Sequence, residues 1–130
     1  MTNRTPIFPA GHPKPGSPYS PAIVSGGFVF VAGQVGVDPA TGQTASGFEA
    51  QARQTLNNLR TVLNAAGCDF GDVVKTTAFL TQTEFFAAFN TIYREFFTEP
   101  FPARSTIICQ LVSADLLVEV EAVARQPGPG

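Results

Sequence analysis

The hydrophobic and polar positions of this chain follow one period in some segments and another period in others. After a proline-rich start, two short apolar runs at residues 22–25 and 28–32 flank the pair Gly26-Gly27. Two such runs separated by Gly-Gly predict a β-hairpin, because glycine reaches the positive φ angles that a two-residue turn requires. The segment DPATGQ at 38–43 predicts a second turn soon afterwards.

The clearest helical period lies in the second quarter of the chain. The stretch SGFE at 46–49 matches a capping box, in which the Ser46 side chain accepts from the Glu49 N–H and the Glu49 carboxylate reaches back. Apolar residues then recur at steps of three and four and make one apolar face: Phe48, Ala52, Leu56, Leu59, Leu63 and Ala66. With Gly67 as the expected stop, the pattern predicts a helix over residues 47–66.

The second half of the chain alternates between strand-like and helix-like segments. Residues 72–81 are rich in Val, Thr and Phe and predict a strand. Residues 84–97 predict a helix whose apolar side is made by Phe85, Phe89, Ile92 and Phe96. Residues 104–111 and 116–125 predict two further strands. The predicted order of elements is therefore ββαβαββ.

This order predicts an α+β fold with one mixed β-sheet. A helix between two strands is the usual crossover of parallel neighbours, whereas the first and the last strand pairs are expected to form antiparallel hairpins. Both helices are then expected on one face of the sheet. The other face would keep half of each apolar strand, and contact with further copies of the chain is the simplest way to bury it.

Length and composition predict a single domain over residues 1–130. The six prolines of residues 1–21 exclude a regular helix there and predict an extended N-terminal arm. Residues 126–130, with the sequence QPGPG, predict a frayed tail.

Charge and cysteine content limit the range of possible partners and locations of the protein. Only 14% of the residues are charged, against roughly 25% in an average soluble domain, which again indicates a surface partly covered by other copies. The net charge is −2 and Lys and Arg form no cluster, so nucleic acid is disfavoured as a partner. No apolar stretch reaches the roughly 20 residues of a membrane span. With two cysteines, Cys68 and Cys109, and no secretory apolar segment, the expected location is a reducing cytoplasm.

The most distinctive polar pattern is an arginine at the start of an apolar strand. The segment PFPARSTIIC at 100–109 places Arg104 on the same strand face as Thr106, and its guanidinium carries five donors in a planar arrangement suited to a carboxylate. On the next strand, Glu119 and Glu121 share a face. One interpretation is a structural ion pair, across strands or between subunits, that neutralises Arg104 with a glutamate. The other is that Arg104 binds a ligand carboxylate while one glutamate handles a water molecule.

Other kinds of catalytic site find less support. His12 is the one histidine and lies in the proline-rich arm, so a histidine catalyst or a zinc site is disfavoured. Ser25 and Ser105 have no partner base in the pattern, which argues against a Ser/His/acid hydrolase. The glycines of SGGFVFVAG do not have the spacing of a nucleotide-binding loop.

Six segments of the chain, taken together and in order, carry a resemblance to a known family. They are GSPYSPAI, FVFVAGQVGVDPATGQ, QARQTLNNLRTVLNAAG, DVVKTTAFL, FNTIYREFF, and FPARSTI followed by LVEVEAVA. Across about residues 7–125 they resemble the RidA (YjgF/YER057c/UK114) family of imine and enamine deaminases. The most specific part is PARS followed one strand later by VEVEA.

The resemblance implies a chorismate-mutase-like fold assembled as a homotrimer, with three ligand clefts between subunits. It also implies hydrolytic deamination of small 2-imino and enamino acids to 2-keto acids and ammonia, without a metal or an organic cofactor. In the family, the arginine matching Arg104 binds the substrate carboxylate, and the glutamate matching Glu119 positions or activates the water. The tyrosine matching Tyr19 lines the cleft, and backbone groups near Gly33 and Thr106 complete it.

Two positions depart from the family pattern. Ala32 stands where many members have a serine and cannot donate to a ligand, whereas Thr106 stands where they often have a cysteine and keeps a hydroxyl. The cleft is therefore expected to prefer a different side chain on the substrate. Two other functions stay open: a non-enzymatic or regulatory homotrimer that binds small carboxylates, and the endoribonuclease or translation-inhibitor activity after which some relatives are named. The acidic balance of the chain disfavours the last of these.

Overall fold

The computed structural model describes residues 3–128, which contain six β-strands and two α-helices. The strands are β1 (Thr5–Ile7), β2 (Ala22–Ser25), β3 (Phe28–Val35), β4 (Val73–Leu80), β5 (Ala103–Ile108) and β6 (Val118–Arg125). The helices are α1 (Phe48–Ala65) and α2 (Phe86–Phe96), with single 3₁₀ turns at Phe70–Asp72 and Thr83–Phe85. Neither helix of this described part is long and apolar enough to cross a bilayer.

The six strands form one mixed sheet in the order β1-β2-β3-β6-β4-β5. β4 and β5 are parallel neighbours connected through α2, and every other adjacent pair is antiparallel. The hairpin of β2 and β3 turns at Gly26 and Gly27, which both have positive φ angles. The predicted α+β fold with a mixed sheet is confirmed, and so is the first hairpin.

Both helices cover the same face of the sheet. The strand residues that point to this face are mostly Val and Ala, and the helices contribute mainly leucine and phenylalanine. The core includes Val29, Val31, Ala78, Leu80, Val118 and Val120 from the strands and Leu56, Leu59, Leu63, Phe89 and Ile92 from the helices. The two apolar periods thus meet in one layer, which confirms the prediction that the helices share one face.

The predicted hairpin between the last two strands is wrong. β6 lies between β3 and β4 in the middle of the sheet, and β5 forms the edge beside β4. The inward residues of β6 are all buried, namely Val118, Val120, Ala122 and Ala124. A strand so completely buried gains most from a neighbour on each side, and residues 109–117 carry the chain from the edge to that central position.

The N-terminus of α1 does not form the predicted capping box. The N-cap is Gly47, with a φ of 87°, and no side chain caps the helix there. Phe48 is the first helical residue and stacks on Phe85 with ring centroids 4.3 Å apart, so Ser46 lies one position too early to act as the cap. The predicted stop is confirmed, because Gly67 follows the helix with a φ of 80°.

The two ends of the chain are held by more contacts than the sequence indicated. Within the predicted arm, Thr5–Ile7 forms β1 and pairs with β2 at one edge of the sheet. In the predicted tail, Gln126 donates its backbone N–H to the Gly27 carbonyl at 2.9 Å and its Nε2 to the Ala66 carbonyl at 3.1 Å. The outermost parts of both predictions, residues 1–2 and 129–130, lie outside the described residues.

The second face of the sheet is covered by no helix in the described part of the chain. Apolar side chains are open on this face: Phe30 is 48% exposed and Ile107 is 43% exposed. Phe79 and Val123 lie between them and are half-buried. A single chain therefore presents an apolar surface of the kind that proteins usually bury against another surface.

Candidate functional site

Arg104 lies on the edge strand β5, on the face of the sheet that the helices cover. It pairs in register with Thr76 of β4, whose hydroxyl is 2.7 Å from the hydroxyl of Tyr93 on α2. Residues in register on neighbouring strands point to the same side of a sheet. The Arg104 side chain is therefore directed toward α2, at an edge where no further strand follows in the described sheet.

Helix α2 provides both a hydrogen-bond acceptor and an aromatic surface for this guanidinium. Nη2 of Arg104 donates to Oδ1 of Asn90 at 2.7 Å. The guanidinium carbon lies 4.8 Å from the ring centroid of Tyr93 and 5.5 Å from that of Phe89, within the range of cation–π attraction. Burial raises the pKa of the Tyr93 phenol, so this ring stays uncharged at neutral pH. These contacts orient the charge of Arg104 without neutralising it.

A cavity of about 250 Å³ opens beside Arg104. It is lined by Asn90, Tyr93, Arg94, Phe101, Pro102 and Arg104, none of which is acidic. Within residues 3–128, Arg104 takes part in no ion pair. The interpretation of Arg104 as half of an ion pair within its own chain is therefore wrong, and its guanidinium keeps N–H donors for a ligand.

Glu119 lies on the opposite face of the sheet from Arg104. It pairs in register with Phe79 of β4, whereas Arg104 pairs with Thr76 of the same strand. Phe79 and Thr76 are three residues apart, and an odd separation along a strand reverses the side-chain direction. Since the sheet separates them, Arg104 and Glu119 of one chain cannot contact the same small ligand.

The Glu119 carboxyl is half-buried, and its pKa is raised above the ordinary value of a glutamate. Burial is the main cause, because it disfavours the charged form. The negative charge of Glu121, two residues along on the same face, raises the pKa further. A carboxylate with a raised pKa is a stronger proton acceptor than an ordinary one once it is ionised.

Gly33 provides the space that the Glu119 carboxyl occupies. β3 has an irregularity between Val31 and Gln34, where two residues of β3 face one residue of β6. A Cβ at position 33 would overlap a carboxylate oxygen of Glu119 and lie 2.7 Å from its carboxyl carbon. The present position of the Glu119 carboxyl therefore depends on the absence of a Cβ at position 33.

Tyr19 lies in the arm before β2, and its ring is 55% exposed. With Gly33 it lines a cavity of about 200 Å³, to which His12 and Asn58 also contribute. Gly33 lines this cavity and also lies against the carboxyl of Glu119, which is not part of the cavity lining.

The predicted site residues therefore form two separate groups within one chain. Arg104 and Thr106 share the helix-covered face of β5, as the alternation of the strand predicted. Tyr19, Gly33 and Glu119 form the second group around the irregularity of β3. The sequence did not indicate that the sheet lies between the two groups.

Sequence reasoning missed the residues that orient Arg104. The spacing of Phe89 predicted a core residue, and it is buried, but its ring also faces the guanidinium. Asn90 follows it directly, and Tyr93 lies one turn further along α2. A polar residue next to the apolar stripe of a helix was the one available signal, and by itself it does not distinguish a site from a solvated face.

Replacing Glu121 with glutamine should lower the pKa of Glu119, because the substitution removes a like charge and keeps the size of the side chain. The pKa should still exceed the ordinary glutamate value, since burial is the larger cause. A ¹³C NMR titration of the side-chain carboxyl measures this shift. Glu95→Gln is the matched control, because Glu95 pairs with Arg53 and should leave the titration unchanged. An identical Glu119 titration in the wild type and in Glu121→Gln would contradict the assignment of cause.

Comparison with known proteins gives consistent likenesses over nearly the whole chain. The family model described as Endoribonuclease L-PSP matches residues 10–126. The chain is 42% identical to the human 2-iminobutanoate/2-iminopropanoate deaminase over 113 residues, 86% of this chain and 82% of the relative. The crystal structure of RidA from the Antarctic bacterium Psychrobacter sp. has a TM-score of 0.88 at 34% identity, covering 94% of this chain and 99% of that one. The structure of Escherichia coli TdcF with bound serine has a TM-score of 0.86 at 32% identity, covering 95% and 99%.

The strand order and the layer of two helices, together with these likenesses, define an α+β protein of the chorismate-mutase-like fold. A family model that spans most of the chain and relatives above 30% identity also establish its descent. The protein belongs to the RidA family, also known as the YjgF or L-PSP family. The resemblance noted from its sequence motifs is confirmed.

Proposed function

We propose that the protein hydrolyses reactive 2-imino and enamino acids to 2-keto acids and ammonia. The observation that carries the proposal is the Arg104 guanidinium, which Asn90 and Tyr93 orient beside a cavity without acidic residues in its lining. The name of the human relative, a 2-iminobutanoate/2-iminopropanoate deaminase, supports the same reaction for this chain.

In this proposal Arg104 binds the carboxylate of the substrate. One N–H of its Nη2 is used by Asn90, and the remaining donors suffice for a bidentate contact with two carboxylate oxygens. Tyr93 and Phe89 keep water from one side of the guanidinium, which strengthens its attraction for an anion. Thr106 lies on the same strand face and offers a hydroxyl toward the rest of the substrate.

Glu119 acts as the base in the proposed hydrolysis. Its carboxylate takes a proton from water while the water oxygen bonds to the carbon of the protonated imine, and the electron pair of the C=N bond moves to nitrogen. The carbinolamine then receives that proton on nitrogen. As the C–N bond breaks and ammonia leaves, the hydroxyl oxygen forms the C=O bond and gives its proton to the Glu119 carboxylate, which passes it to the departing ammonia, so the products are the 2-keto acid and ammonium. An enamine substrate enters the same route after tautomerising to the imine. Gly33 gives the carboxyl its position, and Tyr19 lines the adjoining space.

We further propose a homotrimer with three clefts between subunits. Arg104 and Glu119 face opposite sides of one sheet, so a small substrate meets both only when they come from different copies. The exposed apolar face around Phe30 and Ile107 supports contact between copies. A head-to-tail contact that repeats three times closes a ring, which makes three equivalent clefts.

The proposed reaction needs no metal or organic cofactor, because a protonated imine is already electrophilic and needs mainly orientation and a base. The proposed partner is therefore a small 2-imino or enamino acid, and the net charge of −2 disfavours nucleic acid. We place the reaction in a reducing cytoplasm, in line with the free thiols of Cys68 and Cys109.

At substrate concentrations below KM, mixed trimers should be more active than either parent variant. We would express Arg104→Ala and Glu119→Gln together with two different affinity tags and purify the particles that carry both tags. In a closed ring of three, each mixed trimer has one cleft with an intact arginine from one copy and an intact glutamate from the next. We therefore expect about one third of the wild-type activity. The assay generates 2-iminopropionate from alanine with an amino-acid oxidase and follows its loss by semicarbazide trapping.

Several outcomes would redirect the proposal. A mixed trimer as inactive as its parents would mean that each cleft draws both residues from one chain. Wild-type protein that binds pyruvate in calorimetry but does not accelerate loss of the imine would favour the carboxylate-binding homotrimer. Cleavage of RNA by protein free of contaminating nucleases would favour the endoribonuclease activity.

A further inference from the structure

Arg94 is a second arginine in the lining of the cavity beside Arg104. Arg94 follows Asn90 by four residues on α2, so the two side chains lie on the same stripe of the helix, one turn apart. Asn90 accepts the hydrogen bond from Arg104 at 2.7 Å. Both arginines are therefore on the same side of α2, where they line one cavity.

Arg94 is not committed to another contact in the described part of the chain. Within residues 3–128 Arg94 takes part in no ion pair, and the neighbouring Glu95 is paired with Arg53 at 2.8 Å. Arg94 lies in the last turn of α2, where a positive charge also suits the helix dipole. The helix dipole alone does not explain why Arg94 lines the same cavity as Arg104.

The remaining lining does not neutralise these two charges. Phe101 and Pro102 form an apolar wall, and the side chains of Tyr93 and Asn90 are uncharged at neutral pH. Two cations without a carboxylate in one cavity favour an occupant with two negative charges over an occupant with one.

We propose that this cavity selects 2-imino acids that carry a second carboxylate on the side chain, such as 2-iminosuccinate. The inference rests on the proposed function and names its substrate class: Arg104 binds the carboxylate next to the imine, and Arg94 binds the side-chain carboxylate. The reaction that supplies such a substrate is an oxidation or dehydrogenation of an acidic amino acid. Hydrolysis of that imine yields a 2-keto dicarboxylate and ammonia.

Selectivity is measured as a ratio, which separates this inference from the activity itself. We would compare kcat/KM for 2-iminosuccinate, generated from L-aspartate by an L-aspartate oxidase, with kcat/KM for 2-iminopropionate. The wild type should prefer the dicarboxylate, and Arg94→Gln should lower the ratio about tenfold, the size expected for one charge-assisted contact at a partly exposed site. Arg94→Glu should lower the ratio further, because it places a like charge beside the substrate side chain.

Arg60→Gln is the matched control, since it removes an arginine that lines no part of this cavity and leaves the Arg53–Glu95 pair in place, so it should leave the ratio unchanged. An Arg94→Gln variant with the wild-type ratio would overturn the inference while leaving the deaminase intact. Calorimetry with oxaloacetate and pyruvate, the products of the two reactions, measures the corresponding binding preference as a ratio of dissociation constants, and it needs no turnover. If neither imine is hydrolysed, the proposed function fails. The ratio of the two dissociation constants, and its tenfold drop in Arg94→Gln, still decides whether Arg94 selects a dianion.

Discussion

Replacing Arg104 with alanine should lower kcat/KM for 2-iminopropionate by a factor between about 30 and about 3000. Loss of one partner from a desolvated, hydrogen-bonded charge pair costs about 2–5 kcal/mol, and each 1.4 kcal/mol is about tenfold. The variant keeps Asn90, Tyr93 and the cavity but has no cation for the substrate carboxylate. Most of the effect should appear in KM, because the carboxylate is bound in the ground state as well as in the transition state. Initial rates of imine loss, corrected for the uncatalysed hydrolysis in water, provide the measurement.

Two further variants separate charge from geometry at this position. Arg104→Lys keeps a positive charge but lacks the planar pair of donors, so it should recover only part of the activity. Asn90→Ala leaves the guanidinium in place and removes the 2.7 Å hydrogen bond that orients it, so it should raise KM less than Arg104→Ala does. Wild-type kinetics in a folded Arg104→Ala protein would exclude the carboxylate contact and, with it, the proposed enzyme.

Replacing Glu119 with glutamine should reduce kcat by a factor of about 10²–10⁴, the range that a positioned general base contributes. The substitution keeps the shape of the side chain but removes the proton acceptor. KM should change little, because Glu119 is assigned to the water and not to the substrate carboxylate. The same substitution should also raise the thermal unfolding midpoint near neutral pH. The pKa of Glu119 is raised by burial, so its ionised form destabilises the folded state above that pKa, and glutamine has no such charge to bury.

Gly33→Ala tests the same base without changing its chemistry. A Cβ at position 33 displaces the Glu119 carboxyl, so kcat should fall although the glutamate itself is still present. Gly71→Ala is the matched control, because a Cβ there meets nothing within 4 Å and its φ is not positive. Equal kcat values for Gly33→Ala and the wild type would mean that the position of Glu119 above Gly33 is not the active one.

Much of the fold was predictable because its signals are local. The apolar stripe of α1 and its end at Gly67 depend on residues that are close in sequence, and so does the turn at Gly26-Gly27. The shared face of Arg104 and Thr106 follows from strand alternation alone. The capping box failed for a reason that is not local: Ser46 matches the motif, but Gly47 is the N-cap, and the first helical residue, Phe48, stacks on Phe85, which is distant in the sequence.

The candidate site was predictable in its residues but not in its arrangement. An arginine followed by two glutamates on the next strand predicted either an ion pair, across strands or between subunits, or a site that binds a ligand carboxylate. In the structure β6 lies in the centre of the sheet, and β4 separates it from β5. Glu119 on β6 points to the face opposite that of Arg104. Asn90 and Arg94 gave no recognisable signal, since their role depends on how α2 lies against β5.

The sequence by itself determined the kind of every element except β1, which lies in the segment predicted as an extended arm, and it determined the family to which the chain belongs. Only the tertiary structure decided that β6 lies in the middle of the sheet and that Arg104 and Glu119 stand on opposite sides of it. Periodicity and turn chemistry act between neighbours in the chain, whereas strand order is selected by the burial of the whole sheet. The same alternation of side chains that predicted each face therefore could not predict which faces meet.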